Sequence, residues 1–191
     1  DRLYINDGKG NFTQDRLALP AASNSGSCVV AADYDLDGDL DLFIGGKITP
    51  QHYPAGGNSQ LLENNGGRFS DVTDARAPGL KNIGMVNAAV WSDINNDNRP
   101  DLLLAGEWMP ITVFRNGLSQ FMNITQQLGL ANTVGWWNSI NSGDFNGDGK
   151  TDYILGKKNN ELLKKDVSIQ EQKNQRNILL LVALGMLSLL A

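Results

Sequence analysis

The chain has very few of the residues on which catalytic sites and disulfide-rich folds depend. Its 191 residues include one cysteine, Cys28, and one histidine, His52. A single cysteine excludes a disulfide framework or a cysteine-based zinc site within the chain. No Gly-x-Ser-x-Gly motif and no phosphate-binding loop accompanies the histidine. We therefore expect a protein that is not an enzyme.

Basic charge is also scarce. The formal net charge of −5 argues against nucleic-acid binding through a basic face. With 41% hydrophobic and 19% charged residues, the composition is that of a folded globular chain. The sequence begins at Asp1 without a methionine or an apolar leader, so we expect a piece of a longer protein.

Aspartate, by contrast, is concentrated in three segments that share one pattern. The segments begin at residues 33, 93 and 144, and a short apolar run follows each of them. Carboxylate or amide side chains stand at positions 1, 3, 5 and 9: Asp33, Asp35, Asp37 and Asp41; Asp93, Asn95, Asp97 and Asp101; Asp144, Asn146, Asp148 and Asp152. Repetition at this spacing is typical of propeller blades.

The stretches between these segments also repeat. Residues 69–73 match residues 121–125, and each match is followed by a Gly-Leu pair. Short runs rich in aromatic and β-branched residues predict four antiparallel strands per repeat. The predicted fold is all-β, a partial β-propeller of four-stranded antiparallel blades followed by a C-terminal helix. Residues 1–14 predict an outer hairpin, 27–73 and 86–125 two fuller blades, and 136–156 the start of another, too few to close a ring.

The Asp-rich segments have the chemistry of calcium loops. Calcium takes about 6–8 oxygen ligands, which side chains 1, 3, 5 and 9, a carbonyl at position 7 and water would supply. Gly38 and Gly149 at position 6 allow a sharp turn, and Asn98 is the next most tolerant residue there. Position 12 is apolar, which excludes an EF-hand. The competing interpretation is a set of solvated turns, but so many clustered carboxylates should destabilise the fold without a cation.

These segments resemble the FG-GAP/VCBS repeats of integrin-α-like propellers. Residues 135–146 and the Phe-x-x-x-Thr linkers resemble bacterial proteins of the ASPIC/UnbV, cartilage-acidic-protein-like group. The resemblance covers residues 1–156 and implies about three Ca²⁺ sites in a secreted or surface propeller. It assigns the side-chain ligands named above and adds the backbone carbonyls of Asp39, Arg99 and Lys150. The third repeat departs from the pattern at Lys157, where earlier repeats have glycine.

The C-terminal tail differs in composition from the rest of the chain. Residues 157–177 are expected to form a basic helical linker, and residues 178–191 an uncharged apolar helix too short to span a bilayer as it stands. The tail weakly resembles the juxtamembrane and transmembrane segment of bacterial sensor histidine kinases. It could anchor the propeller in a membrane, derive from an unrelated gene, or be a soluble helix.

Three functions are compatible with the sequence. The favoured one is a non-catalytic calcium-binding recognition or adhesion module, extracellular, periplasmic or at the cell surface, with a protein or glycan partner. The alternatives are the sensor domain of a membrane receptor kinase and an enzyme scaffold whose site lies in missing blades. The four tryptophans could form a sugar-stacking surface, although a role in the core between blades is expected: Trp91, Trp108, Trp136 and Trp137.

Overall fold

Antiparallel β-strands make up nearly all of the regular structure. The structure, a computed structural model, describes residues 1–21, 25–117, 119–158 and the backbone of 178–181. The strands are β1 Leu3–Asn6, β2 Phe12–Asp15, β3 Ser25–Ala32, β4 Asp41–Ile48, β5 Gln60–Asn64, β6 Phe69–Asp71, β7 Met85–Ser92, β8 Asp101–Met109, β9 Thr112–Asn116, β10 Phe121–Asn123, β11 Gly135–Gly143, β12 Asp152–Lys157 and β13 Ile178–Leu181. A short helix, α1 (Thr73–Arg76), and 3₁₀ turns at Pro78–Leu80 and Leu130–Asn132 connect them.

The strands group into blades as the repeats predict. Strands β3 to β6 form one four-stranded meander and β7 to β10 a second, while β1 and β2 form a separate hairpin. Strands β11 and β12 form the next hairpin, and the first residues of β11 also pair with β8. Strand β7 packs against β3 and β4, and β11 packs against β7 and β8. The first strands of successive blades are therefore neighbours, and the sheets do not close into a ring.

Strand β8 lies at the centre of the packing because both of its faces are buried. Leu102 and Leu104 belong to the cluster between the first and second blades, whereas Leu103 and Ala105 belong to the cluster with β11 and β12. This alternation explains why the strand is a continuous apolar run, as the sequence predicts for a strand between two layers.

The tryptophans divide between core and surface. Trp91 packs against the first cluster, and Trp137 is buried in the second. Trp136 is half-buried, but the side chain of Trp108 is 58% exposed. The expectation that all four lie between blades is therefore wrong for Trp108, which stands at an irregularity of its strand described below.

Polar contacts also connect neighbouring blades. Lys47 of β4 forms an ion pair with Glu107 of β8 and donates a hydrogen bond to Asn87 of β7. The Asn87 amide in turn donates to the carbonyl of Trp137 in β11, at 2.6 Å. In addition, the Tyr153 hydroxyl donates to the Ser92 hydroxyl at 2.7 Å. The blades are thus joined by specific hydrogen bonds as well as by apolar packing.

The apolar segment near the C-terminus differs from its prediction where it is described. Residues Ile178–Leu181 form a strand, β13, paired antiparallel with β12, so the helix predicted over 178–191 is wrong for these four residues. The physical reason is the open edge of β12, whose free backbone groups an extended apolar segment can pair with. The predictions for 159–177 and 182–191 fall outside the described residues. Within the described part of the chain, no helix is long and apolar enough to cross a membrane.

Candidate metal centre

Each Asp-rich segment forms the loop between the first and second strands of a blade. The three loops connect β3 to β4, β7 to β8, and β11 to β12. The ninth residue of each segment is the first residue of the second strand. The predicted ligands therefore occupy structurally equivalent loops at the same end of successive blades.

The first aspartate of each loop holds the loop in a tight turn. The Asp33 carboxylate accepts hydrogen bonds from the backbone N–H groups of Asp37 and Gly38, at 3.1 and 3.0 Å. Asp93 accepts the equivalent bonds at 3.1 and 2.7 Å, and Asp144 at 3.2 and 2.9 Å. For Asp144 the bond from the Gly149 N–H is the largest of several that lower the pKa of the carboxyl group.

The turn needs two left-handed residues rather than the one predicted. Position 6 has positive φ as expected, from 63° at Asn98 to 101° at Gly38. Position 4 is also left-handed: Leu36 at 65°, Asn96 at 58° and Gly147 at 78°. Asparagine and glycine adopt this conformation readily, but leucine does so at a cost. Asn96 and Gly147 are residues that indicate a left-handed position in the sequence, whereas Leu36 at the same position of the first loop does not.

The ninth-position aspartates are buried and bind backbone. Asp41 and Asp101 are fully buried and Asp152 is 3% exposed. One oxygen of each accepts the N–H of the second loop residue, at 3.1–3.2 Å. The other oxygen of Asp41 accepts the N–H of Asn64, and that of Asp101 accepts the N–H of Asn116, at 2.8 and 2.7 Å. These carboxylates therefore connect the loop to the third strand of its own blade.

Asn64 and Asn116 are site residues that the sequence reasoning missed. Each is the last residue of the third strand of its blade, and the spacing of the Asp-rich segments does not point to it. Asn116 also reaches the preceding blade, because its side-chain amide donates to the carbonyl of Tyr34 at 2.7 Å.

Only the first loop, among the described residues, gathers three carboxylates around one point. Ligand atoms of Asp33, Asp35 and Asp37 all lie within 4.8 Å of one another. Burial, and then the charge of Asp37, raise the pKa of Asp35. Burial raises the pKa of Asp41 to about 6, against the hydrogen bonds from Asn64 and Tyr34. The loop thus concentrates negative charge that its own hydrogen bonds do not neutralise.

This loop fits a hard divalent cation. One oxygen of Asp35 and one of Asp39 are buried without a hydrogen-bond partner, and these are two of the four such side-chain atoms in the described structure. Unpartnered buried carboxylate oxygens are costly, and oxygen donors are the ligands that calcium prefers. Asp39 was predicted to contribute only its backbone carbonyl, and the burial of its unpartnered side-chain oxygen was not predicted.

The second and third loops have fewer charges because position 3 is an amide. Asn95 donates to the Asp97 carboxylate at 2.9 Å, and Asn146 donates to Asp148 at 3.4 Å. Arg99 forms an ion pair with Asp97 and donates to the Asn116 carbonyl at 3.2 Å. Burial raises the pKa of Asp97, but the hydrogen bonds from Asn95 and Arg99 and the Arg99 charge outweigh it. A protein cation therefore already lies against the second loop.

The backbone at position 7 behaves alike in the three loops. The N–H groups of Asp39, Arg99 and Lys150 donate to one oxygen of the position-5 carboxylate, at 3.0, 3.0 and 2.9 Å. The third loop is the most exposed, and its second residue, Phe145, is 53% exposed where Tyr34 of the first loop is buried. The third loop is thus less buried than the first two.

A family profile matches both ends of this repeated structure. The profile described as FG-GAP-like repeat matches residues 1–44 and 93–155, more than half of the chain, and includes all three loops. The chain belongs to the FG-GAP-like repeat family. A search of curated proteins found no match. Membership in the FG-GAP-like repeat family, with the stacked four-stranded sheets, identifies the fold as part of a β-propeller.

Proposed function

We propose that this FG-GAP-like chain is a calcium-binding recognition or adhesion module without catalytic activity, part of a secreted or surface protein. The observation that carries the proposal is the first loop, where Asp33, Asp35 and Asp37 converge within 4.8 Å and one Asp35 oxygen is buried without a partner. Calcium would supply the positive charge that this loop lacks and would hold it in one conformation.

The ligands in the first loop would be the carboxylates of Asp33, Asp35 and Asp37, with Asp39 close by. Asp41 accepts hydrogen bonds from two backbone N–H groups and thereby connects the loop to β5. The second and third loops would bind calcium more weakly. Each has an amide at position 3, and Arg99 already neutralises part of the second loop.

A recognition role is favoured over catalysis by the distribution of reactive groups. The carboxylates that could serve as acid or base are concentrated in the loops, where they hydrogen-bond the loop backbone. His52 is exposed in the connection between β4 and β5, where its backbone N–H bonds to the Thr49 carbonyl in a turn. Calcium-stiffened loops on a propeller suit the presentation of a binding surface, for which a protein or glycan is the proposed partner class.

Calorimetric titration of the full chain with calcium, after dialysis against EGTA, tests the proposal. We expect saturable binding of about three ions, with the first loop filled first, and a rise in melting temperature that magnesium does not reproduce. The single variants Asp33→Ala, Asp93→Ala and Asp144→Ala should each remove one binding event. Each variant is also melted in EGTA, which measures the cost of losing the backbone hydrogen bonds alone. Absence of both binding heat and a calcium-dependent melting temperature would refute calcium binding.

A further inference from the structure

Trp108 stands at a β-bulge that turns it out of the sheet. In the pairing of β11 with β8, Gly135 is opposite Met109 and Trp136 is opposite Glu107, so Trp108 has no partner. Its φ is 58°, in the left-handed region, and its side chain is 58% exposed. Glycine usually takes this position in a bulge, and bulges commonly redirect a side chain beside a functional site. A large aromatic residue here is strained and exposed at once.

The fold itself does not require a tryptophan at this place. By the spacing of the loops, the equivalents of Trp108 and Trp136 at the preceding blade junction are Ile48 and Met85. Ile48 is half-buried without positive φ, and Met85 is buried. The preceding junction therefore packs with ordinary aliphatic residues, and of these two junctions only the one at Trp108 combines positive φ with an exposed side chain.

A second aromatic ring and one cation complete the surface. The ring centroids of Trp108 and Trp136 are 5.2 Å apart with an interplanar angle of 50°. The Lys158 ammonium lies 4.7 Å from the centroid of Trp136, and the Lys157 ammonium lies 5.6 Å from that of Trp137. We name Trp108, Trp136 and Lys158 the tryptophan–lysine surface. Lys157 is paired with Trp137 across the strands and so belongs to the other face of the sheet.

The charge of this surface is positive although the chain as a whole is acidic. Glu107, the acidic neighbour of Trp108, is buried and ion-paired with Lys47. Lys158 is exposed, and its ammonium group lies near the indole ring of Trp136. An anionic ligand would thus find a cation beside an aromatic platform.

We propose that the tryptophan–lysine surface binds an acidic saccharide, a sugar chain bearing carboxylates. The electron-rich face of Trp108 attracts the polarised C–H groups on one side of a sugar ring. Trp136 has Lys158 over its face, so it supports Trp108 while Lys158 receives the carboxylate. The residues flanking Trp108, Glu107 and Met109, are buried, so the exposed aromatic area is small. It suits one or two sugar rings better than a protein interface of about 800 Å² per partner.

This inference rests on the proposed recognition function and specifies its ligand class. The probe is a tetramer of β-1,4-linked glucuronate, compared with cellotetraose, which has the same backbone without carboxylates. Both are titrated calorimetrically into the full chain in calcium, and tryptophan emission is recorded in parallel. We expect the acidic tetramer to bind and to change the emission, and cellotetraose to bind more weakly.

Three variants make the test specific. Trp108→Gly fits the left-handed backbone, so it should fold while its affinity falls about tenfold or more, as when a stacking ring is removed from other ligand sites. Lys158→Gln should weaken the acidic tetramer and leave cellotetraose unchanged. Tyr4→Ala removes an aromatic that is 49% exposed in the β1–β2 hairpin and should change neither.

The outcomes separate this inference from calcium binding. No binding of the acidic tetramer to a wild-type chain that still responds to calcium would overturn the saccharide surface and leave the calcium proposal standing. Equal affinity of wild type and Trp108→Gly, with both folded by their melting curves, would also overturn it. A chain that binds the tetramer through Trp108 but shows no calcium response would instead refute the calcium proposal.

Discussion

Asp35→Asn is expected to change the stability of the chain in opposite directions with and without calcium. The variant gives the first loop the amide that the other two loops have at position 3, as Asn95 and Asn146. Without a cation, Asp35 has a raised pKa because it is partly buried and lies near Asp37. Replacing it with an amide removes that unfavourable charge. With calcium present, the same substitution removes a charged ligand.

The structure sets the size of the effect. Asp33, Asp35 and Asp37 approach within 4.8 Å, so the substitution deletes two repulsive pairs. Each pair is worth about 0.9 kcal/mol in bulk water and about 3.5 kcal/mol at an effective dielectric constant of about 20. The separation is shorter than the Debye length of about 8 Å at physiological salt, so screening leaves much of this energy. The new amide can also donate to Asp37, as Asn95 does to Asp97 at 2.9 Å.

We therefore expect Asp35→Asn to raise the free energy of unfolding in EGTA by about 1–3 kcal/mol. We expect the same variant to bind calcium at least about tenfold more weakly. Chemical denaturation in EGTA and in calcium measures the first quantity, and calorimetry the second. Asp74→Asn is the control, since its carboxylate is exposed and pairs with a surface lysine, Lys81. A variant destabilised in EGTA, or one equally stabilised in both conditions, would refute the account of the first loop as a charge cluster that needs a cation.

Three further predictions concern stability in EGTA. Burial raises the folded-state pKa of Asp41 from its ordinary 3.8 to about 6, so stability should fall by on the order of 3 kcal/mol as pH rises from 4 to above 6. Calcium should reduce this fall, because it would offset the charges of Asp35 and Asp39 that also raise the pKa, and melting curves across pH would show both effects. Leu36→Asn, which copies Asn96, relieves a left-handed leucine that is 58% exposed and should add about 1 kcal/mol, a rise of about 2–4 °C in melting temperature. Phe121→Ala should cost about 3–5 kcal/mol because its ring is buried between blades. Phe12→Ala changes a residue that also begins a strand but is 64% exposed, so it should cost less than about 1 kcal/mol, and equal losses in denaturant would contradict the packing described.

Much of the fold was predictable because its signals are local and repeated. The blade boundaries follow from the periodicity of the Asp-rich segments, and the burial of β8 on both faces follows from its unbroken apolar run, Leu102 to Ala105. The strand at Ile178–Leu181 was not predictable, because it depends on the free edge of β12 and not on its own composition.

The residues of the candidate site were predictable, but the different roles of its carboxylates were not. Spacing alone does not distinguish Asp41, which is buried and bound to backbone, from Asp33, Asp35 and Asp37, which converge. That difference arises from the third strand, which brings the N–H of Asn64 onto Asp41 from 23 residues away. The exposure of Trp108 likewise could not be predicted from the sequence, because a bulge depends on the register between two strands.

The hydrogen bonds of Asn116 mean that the repeat seen in the sequence is not the unit that unfolds. Asn116 belongs to the second blade, where its N–H binds Asp101, but its amide caps the carbonyl of Tyr34 in the first. A truncation made between the two blades would leave that buried carbonyl without its partner and would expose the aromatic contacts of Tyr34. Neighbouring blades should therefore melt as a pair, in the manner of a one-dimensional array whose stability resides in the contacts between its members. Deletion variants should accordingly end within a blade's outer strands and keep each junction whole.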